Sequence, residues 1–448
     1  MEQNSPGRRI AFHNLGCKVN SYETEAMLRQ MLAAGYTSVP FAPGADIYVV
    51  NTCTVTNIAD RKSRQMLHKA KAMNPKALVV AVGCYAQVAG EGLLEDPAVD
   101  LVIGNDEKSR LPELIRAFEG AGEEAAVLQD IGASRHFEEL PGGGGGERTR
   151  ATLKIEDGCN QFCSYCLIPY ARGRVRSRSP ENSLKEARRM AEEGYKEIVL
   201  TGIHLASYGL DFPGDAGDRA EYGAPLLRLI EEMAQIDGIR RIRLGSLEPR
   251  LITPDLARRL AAVDKLCPHF HLSLQSGSDT VLKRMNRHYD TAAFYREMEA
   301  LRQAFETPAL TTDVIAGFPG ETEAEFEETV RFLEKAEFYE THIFRYSRRK
   351  GTVADGLPGQ VPEKVKAERS ARLLDLNRIH KARFEERLKG QERTLLLEEP
   401  DAALGPGFWT GHTPEYVKLS VYAPEGQAGE EVRVTVGENG GARIRQRI

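Results

Sequence analysis

The sequence predicts an α/β protein in three parts: an N-terminal parallel-sheet α/β domain over 8–120, a central partial (β/α)6 barrel over 145–376 and a small C-terminal β-barrel over 377–448. Short apolar runs alternate with helix-like stretches in both of the first two parts, the pattern of parallel strands covered on both faces. Pro141 and the glycines from Gly142 to Gly146 form a flexible linker that separates them. The last part exchanges helical patterning for short strands set apart by Gly and Pro turns.

In the first part, residues 10–15, 47–50, 77–82 and 99–104 read as strands. Helices are expected over 22–34, closed by Gly35, over 60–73, and briefly after the fourth strand. In the central part, strands are expected at 151–156, 198–201, 239–244, 270–274, 310–315 and 341–344. Six successive βα units curl into a partial barrel, whose chemistry sits at the strands' carboxyl ends. A helix over 363–388 leads to tail strands at 393–397, 416–421 and 431–436.

At 448 residues, 41% hydrophobic and 28% charged, the chain is long enough for two or three full cores. Its formal net charge of −5, and eleven basic against eleven acidic residues over 377–448, give no global pull toward a polyanion. A nucleic-acid partner must therefore be met by local basic patches. The first nine residues lack the apolar core of a signal peptide, and no run of about 18 apolar residues occurs, so a cytoplasmic location away from membranes is expected. Seven cysteines, widely spaced outside one loop, do not read as a secreted disulfide framework.

That loop is Gly158-Cys159-Asn160-Gln161-Phe162-Cys163-Ser164-Tyr165-Cys166. Thiolates are the usual ligands of iron–sulfur clusters, and three of them leave one iron of a four-iron cluster open for a substrate or cofactor. The alternatives are a structural zinc site with a distant fourth ligand, or three small core residues. Cys17, Cys53 and Cys84 each follow one of the first three strands. In an open parallel sheet those strand ends share one edge, so thiols 36 and 31 residues apart can still converge into a second three-cysteine site. Cys267, before Pro268, has no cysteine partner in the pattern and reads as core.

The Cys159–Cys163–Cys166 loop, with Tyr165 beside its last cysteine, resembles the cluster motif of the radical S-adenosylmethionine enzymes. With Leu15-Gly16-Cys17-Lys18, Asn51-Thr52-Cys53-Thr54, Val82-Gly83-Cys84, Leu272 to Gly277 and Asp313 to Thr322, nearly the whole chain resembles the methylthiotransferase family. The tail resembles the TRAM domain, an RNA-binding module. Cys53 to Asn57, Lys62 to Gln65 and Pro169 to Arg178 look most like the branch acting on N6-threonylcarbamoyladenosine in tRNA. The resemblance implies a methylthio group placed on carbon 2 of the adenine beside the anticodon. It implies two [4Fe-4S] clusters, one on each cysteine triad, and two molecules of S-adenosylmethionine. One methylates sulfur held at the Cys17, Cys53 and Cys84 cluster; the other is cleaved at the second cluster to an adenosyl radical. The partners implied are the tRNA anticodon loop and an electron donor such as flavodoxin or ferredoxin.

Thr201, Gly202, Ser273, Gln275 and Asp313 lie where barrel strands meet the cofactor, although Thr201-Gly202-Ile203-His204 lacks the family's Gly-Gly-Glu triplet. Arg172, Arg174, Arg176 and Arg178 alternate in one loop, and Arg345, Arg348, Arg349 and Lys350 cluster after the sixth strand. Each run is a candidate for tRNA phosphates or a solvated face. The bound threonylcarbamoyl carboxylate needs a cationic or hydrogen-bonding partner, with Arg172 and Arg176 first in line and Arg345 next. The competing branches act on isopentenyladenosine in tRNA or on an aspartate of a ribosomal protein. A competitor of another class is a non-catalytic iron–sulfur RNA-binding or carrier protein.

Overall fold

A computed structural model describes residues 7–121, 126–143, 149–213, 222–438 and 440–447. The N-terminal part contains β1 (Arg9–Asn14), α1 (Lys18–Ala33), β2 (Thr37–Ser38), β3 (Ile47–Thr52), α2 (Asn57–Met73), β4 (Leu78–Gly83), α3 (Cys84–Ala89), β5 (Leu101–Ile103), α4 (Leu111–Ala121) and β6 (Ala126–Val127). All six strands are parallel, in the order β2-β1-β3-β4-β5-β6. Met27 and Met31 of α1 and Leu111 and Ile115 of α4 cover one face of the sheet. Leu67 of α2 and Ala86 of α3 cover the other. The chain leaves β1 toward β2 and returns to its far side as β3, so the sheet changes direction between β1 and β3, the position where open sheets bind ligands.

Helix α1 begins at Lys18, four residues before its expected start. Asn20 and Ser21 resemble cap residues, but Cys17 holds the N-cap position. Asn20 instead turns its amide Nδ2 to the carbonyls of Leu15 at 2.8 Å and Thr52 at 3.0 Å. Strands β2 and β6 are two residues long, too short for a periodic signal.

The central part follows as β7 (Arg150–Lys154), β8 (Glu156–Asp157), α5 (Ile168–Arg172), β9 (Arg176–Ser177), α6 (Pro180–Glu192), β10 (Glu197–Thr201), α7 (Ala224–Met233), β11 (Arg241–Leu244), α8 (Pro254–Ala261), β12 (His269–His271), α9 (Asp279–Arg284), α10 (Thr291–Ala304), β13 (Ala309–Ala316), α11 (Glu323–Ala336) and β14 (Glu340–Arg345). The parallel sets β7-β10-β11 and β12-β13-β14 are joined by single parallel bridges, Ile242 to Leu266 and Leu247 to Leu272. An arc of six strands results, with β7 and β14 at its edges. Helix α1 lies along the β7 side: Tyr22 and Ala26 enter the barrel core while Met27 and Met31 face the N-terminal sheet.

The expected linker is partly pinned. The Tyr22 hydroxyl donates to the Leu140 carbonyl at 2.9 Å, and the Gly142 amide donates to Glu186 at 3.0 Å. Gly143 lies so close to the Tyr22 ring that a Cβ would overlap it. Gly144, Gly145 and Gly146 lie outside the described residues.

Helix α12 (Glu363–Leu388) runs unbroken across the boundary expected at 376/377. Then come β15 (Glu392–Pro400), β16 (Phe408–His412), β17 (Lys418–Tyr422), β18 (Glu431–Val436) and β19 (Gly441–Arg447), closed into a barrel in the order β15-β16-β17-β19-β18. Two of these five strands, β16 and β19, escape sequence reading. Gly411 interrupts the first, and the arginines of Arg443-Ile444-Arg445-Gln446-Arg447 dilute the apolar signal of the second.

This barrel caps the amino end of the central arc. Tyr416 sits under the guanidinium groups of Arg150 and Arg243, 4.9 and 4.7 Å from its ring centroid, and stacks on His412 at 4.4 Å. Arg241 donates to Glu431 at 2.7 Å. Above this seat a cavity of about 320 Å³ is lined by Thr152, Val199 and Arg243, with Lys18 of the N-terminal part reaching it. Among the described residues, no helix is long and apolar enough to cross a membrane.

Tyr416→Ala removes two cation–π contacts, each worth ~0.5–2 kcal/mol. Hydrogen exchange over β15–β19 and over the first residues of β7 and β11 should accelerate, with secondary structure content unchanged. Unaltered protection would show that the seat does not depend on this ring.

Candidate functional site

Cys17 stands between β1 and α1, Cys53 directly follows β3 and Cys84 opens α3 after β4. Because β1, β3 and β4 are neighbours, their thiols gather at one sheet edge. The glycines before two of them clear the space. A Cβ on Gly16, at φ +104°, would stand 2.9 Å from the Cys53 sulfur, and Gly83 has φ +94°. Burial pushes the Cys53 thiol up to about 11, and the thiols of Cys84 and Cys17 add to the rise. Cys17 is the exposed member. Asn20 ties the Cys17 and Cys53 loops together. Thr52 continues the link, donating to the Val82 carbonyl at 2.6 Å and accepting from the Ala86 amide at 3.0 Å.

The second triad occupies the loop after β8. Gly158 has φ +82°, and a Cβ there would strike the Arg174 carbonyl, so only glycine lets the loop pass. The Cys159 amide donates to the Gly173 carbonyl at 3.0 Å, and Phe162 takes a left-handed φ of 47° between the cysteines. All three cysteines are half-buried. Burial pushes the Cys166 thiol up to about 12, helped by Cys163. Burial also raises Cys159, with Cys166 and Cys163 adding. Helix α3, which Cys84 opens, packs against α5, which begins two residues after Cys166, so the two triads share one neighbourhood. Among the described residues, no three His, Cys, Asp or Glu side chains form a group that could hold a single metal ion. Three soft sulfur donors that sense one another across a glycine-cleared space suit a larger body, an iron–sulfur cluster.

Between the triads lies a buried ion-pair network that joins the two parts of the chain. The fully buried Arg172, last residue of α5, donates from Nη1 to Glu23 at 2.8 Å and to Asp157 at 3.1 Å, and from Nη2 to Asn20 at 2.6 Å. Its Nε donates to the Cys84 sulfur at 3.2 Å. Lys108 and Lys154 also donate to Glu23, at 2.6 and 2.7 Å. Arg176 pairs with Asp106 at 3.1 Å and Asp157 at 3.8 Å. The ion pairs link four cations (Lys108, Lys154, Arg172, Arg176) with three carboxylates (Glu23, Asp106, Asp157), and the Glu138 carboxyl faces Lys108 and Lys154 as well. The cations around Asp157 hold its carboxyl far below the usual range despite burial.

These contacts correct the expectations for the arginine runs. Arg172 and Arg176 are consumed inside the protein and are not open to a substrate carboxylate or to tRNA phosphates. Arg178 is buried with Glu139 at 2.7 Å. Arg349 is buried too, donating to Asn57 and Asp60 at 2.7 Å and to Thr54 at 2.6 Å, which ties the loop after β14 to the loop after Cys53. Arg174 is exposed and lies over the Phe162 ring at 4.5 Å. Arg345 is 51% exposed and 4.0 Å from Glu363, Arg348 pairs with Asp355 at 2.6 Å, and Lys350 is exposed.

Thr201 ends β10, buried, and Gly202 packs on Glu156 so tightly that a Cβ would crowd its carboxylate. Glu156 accepts from the His204 amide at 2.7 Å, and burial pushes its carboxyl up to about 8. A carboxyl group is thus present beside Gly202, delivered by β8 rather than by a Gly-Gly-Glu triplet. Ser273 accepts at its carbonyl from Arg287 at 3.3 Å and Tyr289 at 2.6 Å. Gln275 has φ +72° and bridges to β13 through Asp313 and Ile315. Asp313 pairs with His271 at 3.1 Å, and His271 stacks on His342 at 5.6 Å. Tyr165 meets Phe318 edge-on at 6.4 Å. Cys267 is buried. Sequence reasoning missed Asn20, Glu23, Lys154, Asp157 and also Arg287, which donates to the Cys163 sulfur at 3.1 Å. The available signal was Asp157 directly before Gly158-Cys159, and Glu23 beside residues that belong to a core.

The Radical SAM superfamily profile matches residues 153–333, and that of the Uncharacterized protein family UPF0004 matches residues 9–104. Over 429 residues, 95% of this chain and 93% of the relative, the sequence is 40% identical to threonylcarbamoyladenosine tRNA methylthiotransferase MtaB of Bacillus subtilis (strain 168). The chain belongs to the radical S-adenosylmethionine tRNA methylthiotransferases. Another member, tRNA-2-methylthio-N(6)-dimethylallyladenosine synthase of Moorella thermoacetica, is 34% identical over 94% of this chain and 93% of its own length. The radical S-adenosylmethionine methyltransferase TsrM from Kitasatospora setae shares the fold, with a TM-score of 0.55 at 14% identity over 78% of this chain and 77% of that one. As a radical S-adenosylmethionine methylthiotransferase, the protein works with S-adenosylmethionine and a [4Fe-4S] cluster.

Two outcomes follow from this geometry. After anaerobic reconstitution, replacing Cys159, Cys163 and Cys166 by Ala should lower the iron content from roughly eight to roughly four per chain. A count near eight in that variant would refute the division into two triads. In cluster-free protein, Glu156 binds its proton more tightly when folded, so it destabilises the fold progressively as pH rises from about 4.5 to about 8. Glu156→Gln should gain thermal stability over wild type across that window, flat below and above it, with a ceiling of a few kcal/mol at ~1.4 kcal/mol per pH unit. A difference independent of pH would show that Glu156 does not titrate there.

Proposed function

We propose that the protein places a methylthio group on carbon 2 of N6-threonylcarbamoyladenosine in the tRNA anticodon loop, with one cluster on Cys159, Cys163 and Cys166 and a second on Cys17, Cys53 and Cys84. The observation that carries this is the pair of three-thiol sites near the carboxyl ends of two parallel sheets, joined where α3 packs on α5 and Arg172 meets Cys84. The 40% likeness to a relative named for the threonylcarbamoyl substrate supports the choice of branch.

Carbon 2 of adenine bears an unactivated C–H bond, beyond the reach of ordinary acid–base catalysis. Bound S-adenosylmethionine and the clusters supply the radical chemistry and the sulfur. The chain's own residues position these groups. Arg287 holds Cys163, Tyr165 packs beside the loop, and Glu156 with Gly202 shapes the end of β10. Thr201, Ser273, Gln275 and Asp313 line the cofactor side of the barrel. With Arg172 and Arg176 spent internally, Arg345 becomes the partner for the substrate carboxylate, on the edge strand β14 with exposed Phe344 and His342. The N-terminal part serves the sulfur, the barrel the radical, and the C-terminal barrel the RNA. An electron donor of the flavodoxin or ferredoxin kind completes the reaction in the cytoplasm.

The test presents tRNA bearing threonylcarbamoyladenosine, dimethylallyladenosine or plain adenosine beside the anticodon, together with the ribosomal protein substrate, and reads the products by mass spectrometry. The threonylcarbamoylated tRNA should be preferred. Arg345→Gln should slow its modification roughly tenfold, the worth of one charge-assisted hydrogen bond, and leave cleavage of S-adenosylmethionine intact. Preference for dimethylallyladenosine or for the protein substrate would overturn the branch.

A further inference from the structure

Arg172 belongs by sequence to the radical-cluster loop, six residues after Cys166, yet its guanidinium ends in the other site. Nε lies 3.2 Å from the Cys84 sulfur, and Nη2 grips Asn20, whose amide holds the carbonyls before Cys17 and Cys53. One side chain therefore touches or steadies all three strand-end loops of the N-terminal triad. Asn105 adds a longer approach to Cys84 at 3.9 Å and donates to the Ala171 carbonyl at 2.6 Å, fastening the same turn from the opposite side. Glu23 and Asp157 fix the guanidinium plane on its far edge, so its N–H is aimed at sulfur with no rotamer freedom left.

We infer that Arg172 is a positioning residue for the N-terminal cluster: its N–H···S bond to the Cys84 thiolate raises that cluster's reduction potential and fixes its placement relative to the radical-cluster loop. The inference rests on the reading that Cys17, Cys53 and Cys84 hold a cluster. Its sign follows from charge. Reduction adds a negative charge, and a buried cation hydrogen-bonded to a ligand sulfur favours the more negative state. The bond is delivered from the turn that follows the radical loop, and that turn is held by Asn105, Glu23 and Asp157 rather than by the loop's own cysteines.

The experiment uses full-length protein with Cys159, Cys163 and Cys166 replaced by Ala, reconstituted so that only the N-terminal cluster is seen. Its midpoint potential is read by titration monitored with electron paramagnetic resonance, alone and with Arg172→Lys or Arg172→Gln added. The potential should move to more negative values, further for Gln than for Lys, at equal iron content. Arginine labelled with ¹⁵N in the same triple-alanine protein, where Arg287 has no cluster to touch, gives a second reading that needs no change at Arg172: the reduced cluster should show a hyperfine coupling to a labelled nitrogen. An unchanged potential, or absence of that coupling, overturns the inference. Absence of any iron–sulfur signal in the parent protein would instead overturn the two-cluster reading on which it rests. With Cys17, Cys53 and Cys84 replaced by Ala, Arg172→Lys should leave the radical cluster's potential where it was; an equal shift there would mean a general disturbance of the fold, and the inference would fall.

Discussion

The ion pairs between Glu23, Arg172 and Asp157 are the contact on which the placement of both cysteine sites depends. Each charge is withdrawn from water, a cost that mutual attraction offsets only when every partner is in position. Glu23 comes from α1, Asp157 from β8 and Arg172 from α5, so the network forms only when the N-terminal sheet is seated against the barrel. Removing one member of such a pair leaves an uncompensated buried charge, at roughly 3–5 kcal/mol. The same side chains that make misplacement expensive also hold the cysteine loops: Asn20 secures two of them and Arg172 touches the third.

Much of this was legible in the residues. Strand-end positions for Cys17, Cys53 and Cys84 followed from three apolar runs, because a strand buried on both faces has few other readings. The barrel strands were legible for the same reason, and so was α12. The arginines were not. Alternation in a glycine-containing loop is equally consistent with a solvated face and with side chains threaded into a neighbouring domain. The choice depends on carboxylates more than 100 residues away in sequence, as Glu23 is from Arg172. Strands β16 and β19 were hidden because a small closed barrel buries one side of each strand only, and polar residues occupy the rest.

The fold also sets the two cysteine triads in different frames. The N-terminal triad is spread over the ends of three neighbouring strands of a doubly covered sheet, with Cys17 the exposed residue of the three. The other triad lies within eight residues of one loop, shaped by Gly158 and by Phe162 in a left-handed conformation. The first is set by the sheet, the second by the loop. Arg349, buried between Thr54 and Asp60, repeats on the opposite side what Arg172 does, tying the end of β14 to the loop after Cys53.

The unbroken α12 and the seat of Tyr416 give the C-terminal barrel a meaning that its small size conceals. It acts as a stopper. Cutting the chain at residue 376 would discard the turns of α12 that carry Phe384 and Leu388 into the barrel's own core, and would leave Arg150 and Arg243 facing solvent. A domain that reads as detachable is in this architecture seated on the central arc itself, so exchanging it between relatives would require exchanging Arg150, Arg241 and Arg243 with it.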